Sequence, residues 1–340
     1  MKRAVLAFAL MLLVALPFTT FAQSGESEGD VMTADTTVMA PAAHQELIWS
    51  IGVFRGDSPW TLKDPDDIKN PVFTYKDITD VNALFVADPF IFKYGNKYLL
   101  FMEVAKVEPY GYGDIAYAES DDGINWTYKG VVLHEYFHLS YPQVFESDGE
   151  YYMIPETYQT HTLRLYKATN FPTEWKFEKT LVDVQNVDPS IFHEGKYWYI
   201  ICATDFEHGW DDTRLYYSKD LEGPWKEHPA SPIVKDDANI SRPAGRIMRV
   251  DGHWYRLSQD TYPTYGQSVS AFRIDKITPK VYQETPVSTN PVLQPSGEWW
   301  TKEGMHQIDA IQLPNGKWLG VVDGQAYQVH PDVKEPHNFD

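Results

Sequence analysis

The sequence of 340 residues contains a single cysteine, Cys202, and so has no means of forming an internal disulfide. It also has little helical pattern, because no long stretch after residue 45 repeats its apolar residues with a 3.6-residue period. Its long apolar run, Ala4 to Phe18, is shorter than the roughly 20 residues that a membrane-spanning helix needs. The single cysteine excludes a scaffold held by internal disulfides. The lack of helical period favours β-structure stabilised by its own core, and the short apolar run predicts no membrane span.

The N-terminus has the pattern of a secretory signal peptide. Lys2 and Arg3 precede the apolar run, and Thr20-Phe21-Ala22 offers a small-residue cleavage site. Residues 1–22 are therefore predicted to be a signal peptide that directs the protein to the periplasm or out of the cell. An uncleaved membrane anchor is the alternative interpretation.

The next segment, residues 23–45, is rich in Ser, Gly, Glu, Thr and Ala, and no aromatic residue occurs between Phe21 and Trp49. Such a segment buries too little apolar surface to offset the entropy lost on ordering, so a disordered linker is predicted. The aromatic-rich remainder, residues 46–340, is predicted to form one domain, which we expect to be monomeric.

The formal net charge of −19 excludes one class of partner. An acidic surface repels phosphate backbones, so nucleic acid is not expected as a ligand. Solubility in a salty habitat is an equally simple reason for the acidity. No cofactor and no metal are predicted.

One four-strand unit recurs along the domain. Its most regular part is a hairpin, in which an apolar strand, a glycine turn and an aromatic strand follow one another. The hairpin glycines are Gly95, Gly149, Gly195, Gly252 and Gly316, with spacings of 54, 46, 57 and 64 residues. These spacings suit four-stranded blades with variable loops, so the sequence predicts an all-β, five-bladed β-propeller.

The fifth hairpin lacks the strands that complete the others. Each of the first four hairpins is followed by a third strand, but no such strand follows Gly316 before residue 340. Trp49–Phe54 and then Trp60 supply a strand pattern ahead of the first hairpin. The N-terminal strands are therefore predicted to complete the last blade, which removes exposed sheet edges.

Three aspartates occupy equivalent places in the repeat, because Asp88, Asp188 and Asp309 each stand seven residues before a hairpin glycine. Innermost strands of a propeller run along its channel, so these positions point three acids at one axis. The alternative is that Asp before Pro simply starts a strand. That alternative fits Asp88 and Asp188 but not Asp309, which precedes alanine.

A second set of acids stands near the ends of the second strands: Glu103, Glu156, Asp205, Asp260 and Asp323. Asp205 is expected to be a solvated loop residue rather than a channel acid. Crowded carboxyls raise one another's pKa, so one stays protonated as an acid while another remains a base. One protonated carboxyl and one carboxylate are the two groups that cleave a glycosidic bond by acid–base catalysis.

Arg242 and Arg246 stand at the mouth of the fourth blade, where other blades have acids. They either neutralise the acidic ring or form a bidentate clamp for a carboxylate, sulfate or phosphate on the ligand. Tyr141 and His306 lie at comparable places and are predicted to donate hydrogen bonds to ligand hydroxyls. The predicted ligand is therefore a carbohydrate, with an acidic substituent if the arginines contact it.

His134-Glu135-Tyr136-Phe137-His138 spells H-E-x-x-H, the signature of zinc proteases. That chemistry needs a helix so that both histidines share one face. Here the stretch links a strand ending at Leu133 to the next blade, and its Tyr-Phe pair favours extended structure. No zinc site is predicted.

Several motifs resemble known families. Ala87-Asp88-Pro89-Phe90 and Val187-Asp188-Pro189-Ser190, within five blades, resemble the arabinanase, xylosidase and invertase superfamily that includes glycoside hydrolase family 43. A narrower resemblance is to the propeller domain of plant glucosamine inositolphosphorylceramide transferase and its bacterial homologues. The motifs that carry it are Ser140–Phe145, Met153–Thr157, Ser241–Arg246 and Gln259-Asp260.

The broader resemblance implies an inverting hydrolase, with Asp88 as the general base and Asp188 as the acid that tunes and orients. The family's general acid is a Glu from a later blade, and blade four offers Arg242, Arg246 and Asp260 instead. Glu156 is the predicted substitute, with Glu103 behind it. A non-catalytic glycan-binding propeller remains the alternative, because in the narrower family the propeller accompanies a separate transferase domain.

Overall fold

The computed structural model describes residues 45–333, so the predicted signal peptide and residues 23–44 of the predicted linker lie outside it. Within that part of the chain, helical structure is limited to four three-residue 3-10 turns, and none of its helices has the length and apolarity that a membrane crossing requires. The turns are Tyr75–Asp77, Tyr158–Thr160, Phe206–His208 and Trp299–Thr301.

The rest of the described structure is built on antiparallel strands. In chain order they are β1 (Glu46–Gly56), β2 (Ala83–Tyr94), β3 (Lys97–Lys106), β4 (Gly113–Ser120), β5 (Thr127–Leu133), β6 (Ser140–Ser147), β7 (Glu150–Glu156), β8 (Leu163–Asn170), β9 (Glu174–Val182), β10 (Val187–Glu194), β11 (Tyr197–Thr204), β12 (Asp212–Ser218), β13 (Lys226–Glu227), β14 (Arg242–Pro243), β15 (Met248–Val250), β16 (His253–Gln259), β17 (Val269–Thr278), β18 (Val281–Pro286), β19 (Ile308–Gln312) and β20 (Trp318–Gln328).

These strands form five sheets, each of which is one blade of a ring. Blades 1, 2 and 3 contain β2–β5, β6–β9 and β10–β13, each paired in sequence order. Blade 4 contains β14–β18, and its innermost strand is interrupted, because β14 and β15 both pair with β16. Blade 5 contains β19, β20 and β1. The prediction of a five-bladed β-propeller is confirmed.

Blade 5 joins the two ends of the described chain. β1 pairs with β20 along its whole length, from Glu46 opposite Gln328 to Gly56 opposite Trp318. The place of a fourth strand is taken by isolated bridges from Phe73 and Lys63 to β1. The N-terminal segment therefore completes the last blade as predicted, although its outer edge is irregular. Trp60 packs on Tyr255 of blade 4 instead of extending this sheet.

The hydrophobic core lies between neighbouring blades, because the faces of successive sheets pack on one another. One cluster combines Ile154 and Leu165 of blade 2 with Ile200 and Cys202 of blade 3, all fully buried or nearly so. Burial raises the pKa of the Cys202 thiol to about 12. The single cysteine is therefore an unreactive core residue, and apolar burial between blades holds the ring together.

The closure of blade 5 generates the first prediction. A chain that starts at Pro71 lacks β1 and leaves the edge of β20 unpaired, so its cooperative thermal unfolding transition is expected to be lost. Circular dichroism melts compared with a control that starts at Ala43 and keeps β1 test this. A truncated protein that melts at the temperature of the control contradicts the closure.

Candidate active site

The innermost strands of three blades share the same irregularity. Asp88, Tyr141 and Asp188 have left-handed backbones, with φ of 52°, 49° and 51°, and each precedes a proline. The strand register shifts at each of these positions. A left-handed non-glycine residue costs roughly 1–2 kcal/mol, so the folded ring holds a strained bulge at equivalent points of three blades. Bulges of this kind re-aim side chains next to functional sites.

A cavity of about 520 Å³ opens at the channel mouth beside these bulges. It is lined by Trp49, Phe85, Ala87, Asp88, Glu103, Tyr110, Gly111, Tyr112, His138, Ser140, Glu156, Tyr158, Gln159, Arg242, Tyr265 and His306. Five of the residues predicted from the sequence are thus brought into one pocket: Asp88, Glu103, Glu156, Arg242 and His306. Asp188 is buried against Arg242, at the edge of this group.

Asp88 is held by a chain of polar contacts. Its Oδ1 lies 3.5 Å from His306 Nε2, and His306 Nδ1 lies 2.8 Å from Asp323 Oδ1. Burial raises the pKa of Asp88 to about 7, partly opposed by His306 and reinforced by the charges of Asp188 and Asp323. Burial lowers the pKa of His306, but the neighbouring Asp323 and Asp88 carboxylates outweigh burial and raise it above its ordinary value.

Glu156 lies beside the ion pair of Arg242 and Asp188. Arg242 Nε donates to Asp188 Oδ2 at 2.5 Å, and Gln259 Nε2 donates to the same oxygen at 2.9 Å. Arg242 Nη2 is 3.8 Å from Glu156 Oε2, and the backbone N–H of Asp188 donates to that oxygen at 3.2 Å. Burial, with the charge of Asp188, raises the pKa of Glu156 well above its usual range despite Arg242. Glu156 therefore holds its proton to a higher pH than an ordinary glutamate does.

His138 stands between the two glutamates of the pocket. Its Nε2 lies 3.9 Å from Glu103 Oε1 and 3.8 Å from Glu156 Oε1, while its Nδ1 accepts a hydrogen bond from the Gly113 N–H at 3.0 Å. Burial lowers the pKa of His138 to about 4, so the ring is neutral. Burial, then the charges of Asp88 and Glu156, raise the pKa of Glu103 well above its ordinary value.

His138 belongs to the H-E-x-x-H stretch, which lies in the loop between β5 and β6, as predicted, and not on a helix. His134 points elsewhere: its ring pairs with Asp114 at 2.8 Å and is 66% exposed. Glu135 accepts a hydrogen bond from Tyr166. His138 was not among the residues predicted for the site. The available signal was its position just before the innermost strand of blade 2.

Tyr141 enters the pocket only through its backbone. Its N–H donates to Asp88 Oδ2 at 3.1 Å, whereas its side chain is fully buried in the channel. The hydroxyl donates to the Gly245 carbonyl and accepts from the Gly245 N–H, both at 2.7 Å. A Cβ on Gly245 would lie 2.0 Å from the Ile308 carbonyl, so glycine is required there. The predicted role of Tyr141 as a donor to ligand hydroxyls does not fit this placement.

Arg246 and Asp309 lie outside the pocket, in a bidentate pair with N–O distances of 2.6 and 2.7 Å. The same two side chains bond both backbone groups of Ile91 in blade 1: Asp309 accepts its N–H at 2.9 Å and Arg246 donates to its carbonyl at 2.8 Å. They therefore fasten blades 4 and 5 to blade 1. Their predicted contact with ligand does not fit this position, because the pair is built into the ring.

Asp260 and Asp205 also lie outside the pocket. Asp260 accepts a hydrogen bond from Asn239 at 2.6 Å in a loop of blade 4. Asp205 pairs with His208 at 2.8 Å near the surface, as expected for a loop acid. Fewer of the acids near the ends of the second strands lie at the channel than the sequence predicted.

One wall of the pocket is aromatic, and it was not predicted. Trp49 stacks on His306 with ring centroids 4.0 Å apart, and Tyr265 meets His306 edge-on at 5.4 Å. The guanidinium of Arg242 lies 5.0 Å from the centre of the Tyr265 ring. Tyr110, Tyr112 and Tyr158 stand on loops of blades 1 and 2. The available signal was the recurrence of aromatic residues after each second strand.

Two groups of side chains within residues 45–333 have ligand atoms within 4.8 Å of one another and could converge on a metal ion. One group is Asp88, His306 and Asp323, which is already linked by the contacts described above. The other is a set of acids near the surface of blade 3, Asp205, Asp211 and Asp212. The sequence-based expectation of no metal and no cofactor stays a prediction.

The fold and the pocket define the class: a five-bladed propeller with a cluster of buried carboxyls at its channel mouth. Solved structures share this fold. A glycosyl hydrolase from Bacteroides ovatus has a TM-score of 0.61 at 13% identity, covering 84% of this chain and 96% of that one. The β-1,2-mannobiose phosphorylase of Listeria innocua has a TM-score of 0.58 at 14% identity, covering 80% and 96%.

The chain belongs to the family described as "Glucosamine inositolphosphorylceramide transferase 1, N-terminal", which matches residues 42–325. Two curated proteins named glucosamine inositolphosphorylceramide transferase 1 are each 36% identical to it. The protein from Oryza sativa subsp. japonica matches over 296 residues and that from Arabidopsis thaliana over 304. Each match covers 81% of this chain but only 40% and 39% of the plant proteins. The chain thus corresponds to less than half of the relatives it matches.

The buried pair at Ile91 generates the second prediction. Asp309→Ala leaves the Arg246 guanidinium unpaired inside the ring and is expected to lower the free energy of unfolding by about 3–5 kcal/mol. Asp57→Ala breaks an exposed pair with Lys317 and serves as the control, with an expected loss under about 1 kcal/mol. Urea unfolding measures both. Equal losses for the two variants would contradict a structural role for the buried pair.

Proposed function

We propose that this domain binds a carbohydrate at the channel mouth and hydrolyses a glycosidic bond by acid–base catalysis with inversion. One observation carries the proposal: a single open pocket brings together three buried carboxyls with raised pKa values, that of Asp88 to about 7 and those of Glu103 and Glu156 well above the ordinary value. Separated carboxyl pKa values are the physical basis for having an acid and a base in the same site.

Asp88 is the proposed base. A general base works best when its pKa lies near the working pH, and burial raises the pKa of Asp88 to about 7. The backbone N–H of Tyr141 and the His306–Asp323 pair hold its carboxyl in place. Asp88 would accept a proton from water as the water attacks the anomeric carbon.

Glu156 is the proposed acid, which donates its proton to the leaving oxygen. Burial raises the pKa of Glu156, the Asp188 carboxylate raises it further, and Arg242 holds Asp188 in position. Glu103 is the second candidate, because its pKa is also raised and His138 faces both glutamates. An inverting pair needs about 6.5–9.5 Å between carboxyls to admit water, and side chains from different blades favour this wider separation.

An acidic substituent on the ligand remains part of the proposal, although only Arg242 of the two predicted arginines lines the pocket. The Nη groups of Arg242 can still donate to a ligand, because only its Nε donates a hydrogen bond to Asp188. The surrounding carboxyls work against an anion, however, so this preference depends on how many of them are protonated.

The comparisons support action on carbohydrate in different ways. The solved neighbours with this fold are named as a glycosyl hydrolase and a disaccharide phosphorylase. The curated relatives are named as transferases, and this chain matches only 40% of their length. That coverage favours a second candidate, a propeller that binds glycan without cleaving it while another segment performs transfer.

The third prediction tests the catalytic roles. Asp88→Asn and Glu156→Gln are each expected to lower hydrolysis by about 10²–10⁴-fold without unfolding the domain, because each removes one proton-transfer group. Glu150→Gln, at the hairpin on the far side of blade 2, is the matched control and should retain full activity. Reducing-sugar release from arabino-, xylo- and manno-oligosaccharides and from glucosaminides measures the rates.

The anomeric form of the first product, followed by NMR, accompanies these assays. A retained configuration would overturn inversion, and full activity in Glu156→Gln would move the acid role to Glu103. If the parent protein binds an oligosaccharide but cleaves none, the binding candidate is correct and hydrolysis is wrong.

The fourth prediction concerns pH. The rate is expected to rise as pH increases through about 7, because Asp88 must lose its proton to act as the base. It is expected to fall at higher pH, where Glu156 loses the proton that it must donate. Glu156→Gln removes the alkaline limb from the residual activity and keeps the acid limb. A profile with its acid limb near 4 would show that Asp88 is not the base.

A further inference from the structure

The loops between second and third strands all lie on the face that carries the pocket. In blades 1 to 4 they bear an aromatic series: Tyr110, Tyr112, Tyr158, Phe206, Trp210, Tyr262 and Tyr265. Four of these residues line the cavity, whereas Phe206, Trp210 and Tyr262 lie beyond it. The aromatic surface around the mouth is therefore wider than the pocket.

On the side of blades 2 and 3 the aromatic rings are continuous from the pocket outward. The ring of His138 lies 5.9 Å from Tyr158, Tyr158 lies 6.3 Å from Trp210, and Trp210 lies 5.2 Å from Phe206. Tyr158 belongs to the pocket wall and also contacts Trp210, which in turn packs on Phe206. A ligand chain leaving the pocket on this side would pass directly over Trp210 and Phe206.

Phe206 is exposed and Trp210 is half-buried, and the loop that carries them is held in place. Phe206 is 58% exposed, and its ring packs against that of Trp210 with centroids 5.2 Å apart. Trp210 has a left-handed backbone with φ of 65°; its N–H donates to the Asp205 carbonyl, and its own carbonyl accepts from Ser241 at 2.8 Å. Because these hydrogen bonds hold the backbone of Trp210, the loop binds a ligand with little further loss of backbone conformational entropy.

The same loop determines what kind of ligand fits. Asp205, Glu207, Asp211 and Asp212 alternate with the two aromatic residues. An acyl chain would have to desolvate these carboxylates, whereas a sugar offers an apolar face to the rings and hydroxyls to the acids. The loop therefore suits a neutral sugar unit.

We propose that Phe206 and Trp210 form a glycan subsite that binds a sugar unit away from the bond held between Asp88 and Glu156. The substrate is then an oligosaccharide or a longer glycan, not a single sugar with a small leaving group. This inference rests on the proposed function, because it extends the same carbohydrate site.

The test compares ligands of different length. Glu156→Gln protein serves as the background, and Trp210→Ala and Phe206→Ala are added to it. Isothermal titration with arabino-, xylo- and manno-oligosaccharides of one to four units gives the affinities. One aromatic contact contributes about 0.5–1.5 kcal/mol, so each variant is expected to weaken binding of three- and four-unit ligands about 2–10-fold. Binding of single sugars is expected to be unchanged.

Tyr94→Ala is the matched control, because Tyr94 is 42% exposed at the hairpin end of blade 1, away from the pocket. Unchanged affinity for long ligands in both loop variants overturns the subsite. An equal loss for single sugars and long ligands also overturns it, since the loop would then support the pocket itself. A parent protein that neither binds nor cleaves any of these sugars overturns the proposed function and the subsite together. Binding or cleavage by the parent with no effect of the variants overturns the subsite alone.

Discussion

The pairing of β1 with β20 is the constraint on which the rest of the structure depends. It joins residues 46–56 to residues 318–328 and turns five separate sheets into a ring. Only a closed ring places the innermost strands about one axis. The pocket then takes Asp88 from blade 1, Glu156 from blade 2, Arg242 from blade 4 and His306 from the segment before blade 5, with Asp188 of blade 3 against Arg242. No single blade contains this site.

Closure of the ring also shifts the pKa values of these side chains, because it removes them from water. Burial is the largest cause of the raised pKa of Asp88, Glu103 and Glu156. An isolated charge in such a place is costly, so a buried carboxyl either has a raised pKa or takes a partner. Asp188 pairs with Arg242 and Asp323 with His306. The groups left without a cationic partner at hydrogen-bonding distance are the ones able to exchange protons.

The polar groups at the two ends of the channel differ in how they are hydrogen-bonded. Beneath the mouth, Tyr141 crosses the channel to Gly245, and the Arg246–Asp309 pair fastens Ile91. These groups are saturated by hydrogen bonds and stabilise the ring. At the mouth, His138 lies 3.9 Å from Glu103 and 3.8 Å from Glu156, beyond hydrogen-bonding distance. A rigid lower channel thus supports an upper site whose polar groups remain available to a ligand.

The sequence by itself determined the repeat, the number of blades, the closure by the N-terminal strands and the group Asp88, Glu103, Glu156 and Asp188. These follow from local features: glycine turns, alternating apolar residues and the position of each acid relative to its hairpin. The tertiary structure decided which polar residues meet. Arg242 and Arg246 are four residues apart, yet one enters the pocket and the other binds Asp309, because the strand break between β14 and β15 separates them. His138 and the aromatic loops left local signals in the sequence, but their convergence with Trp49 at one pocket could not be read from them, since their neighbours come from other blades and only the closed ring brings them together.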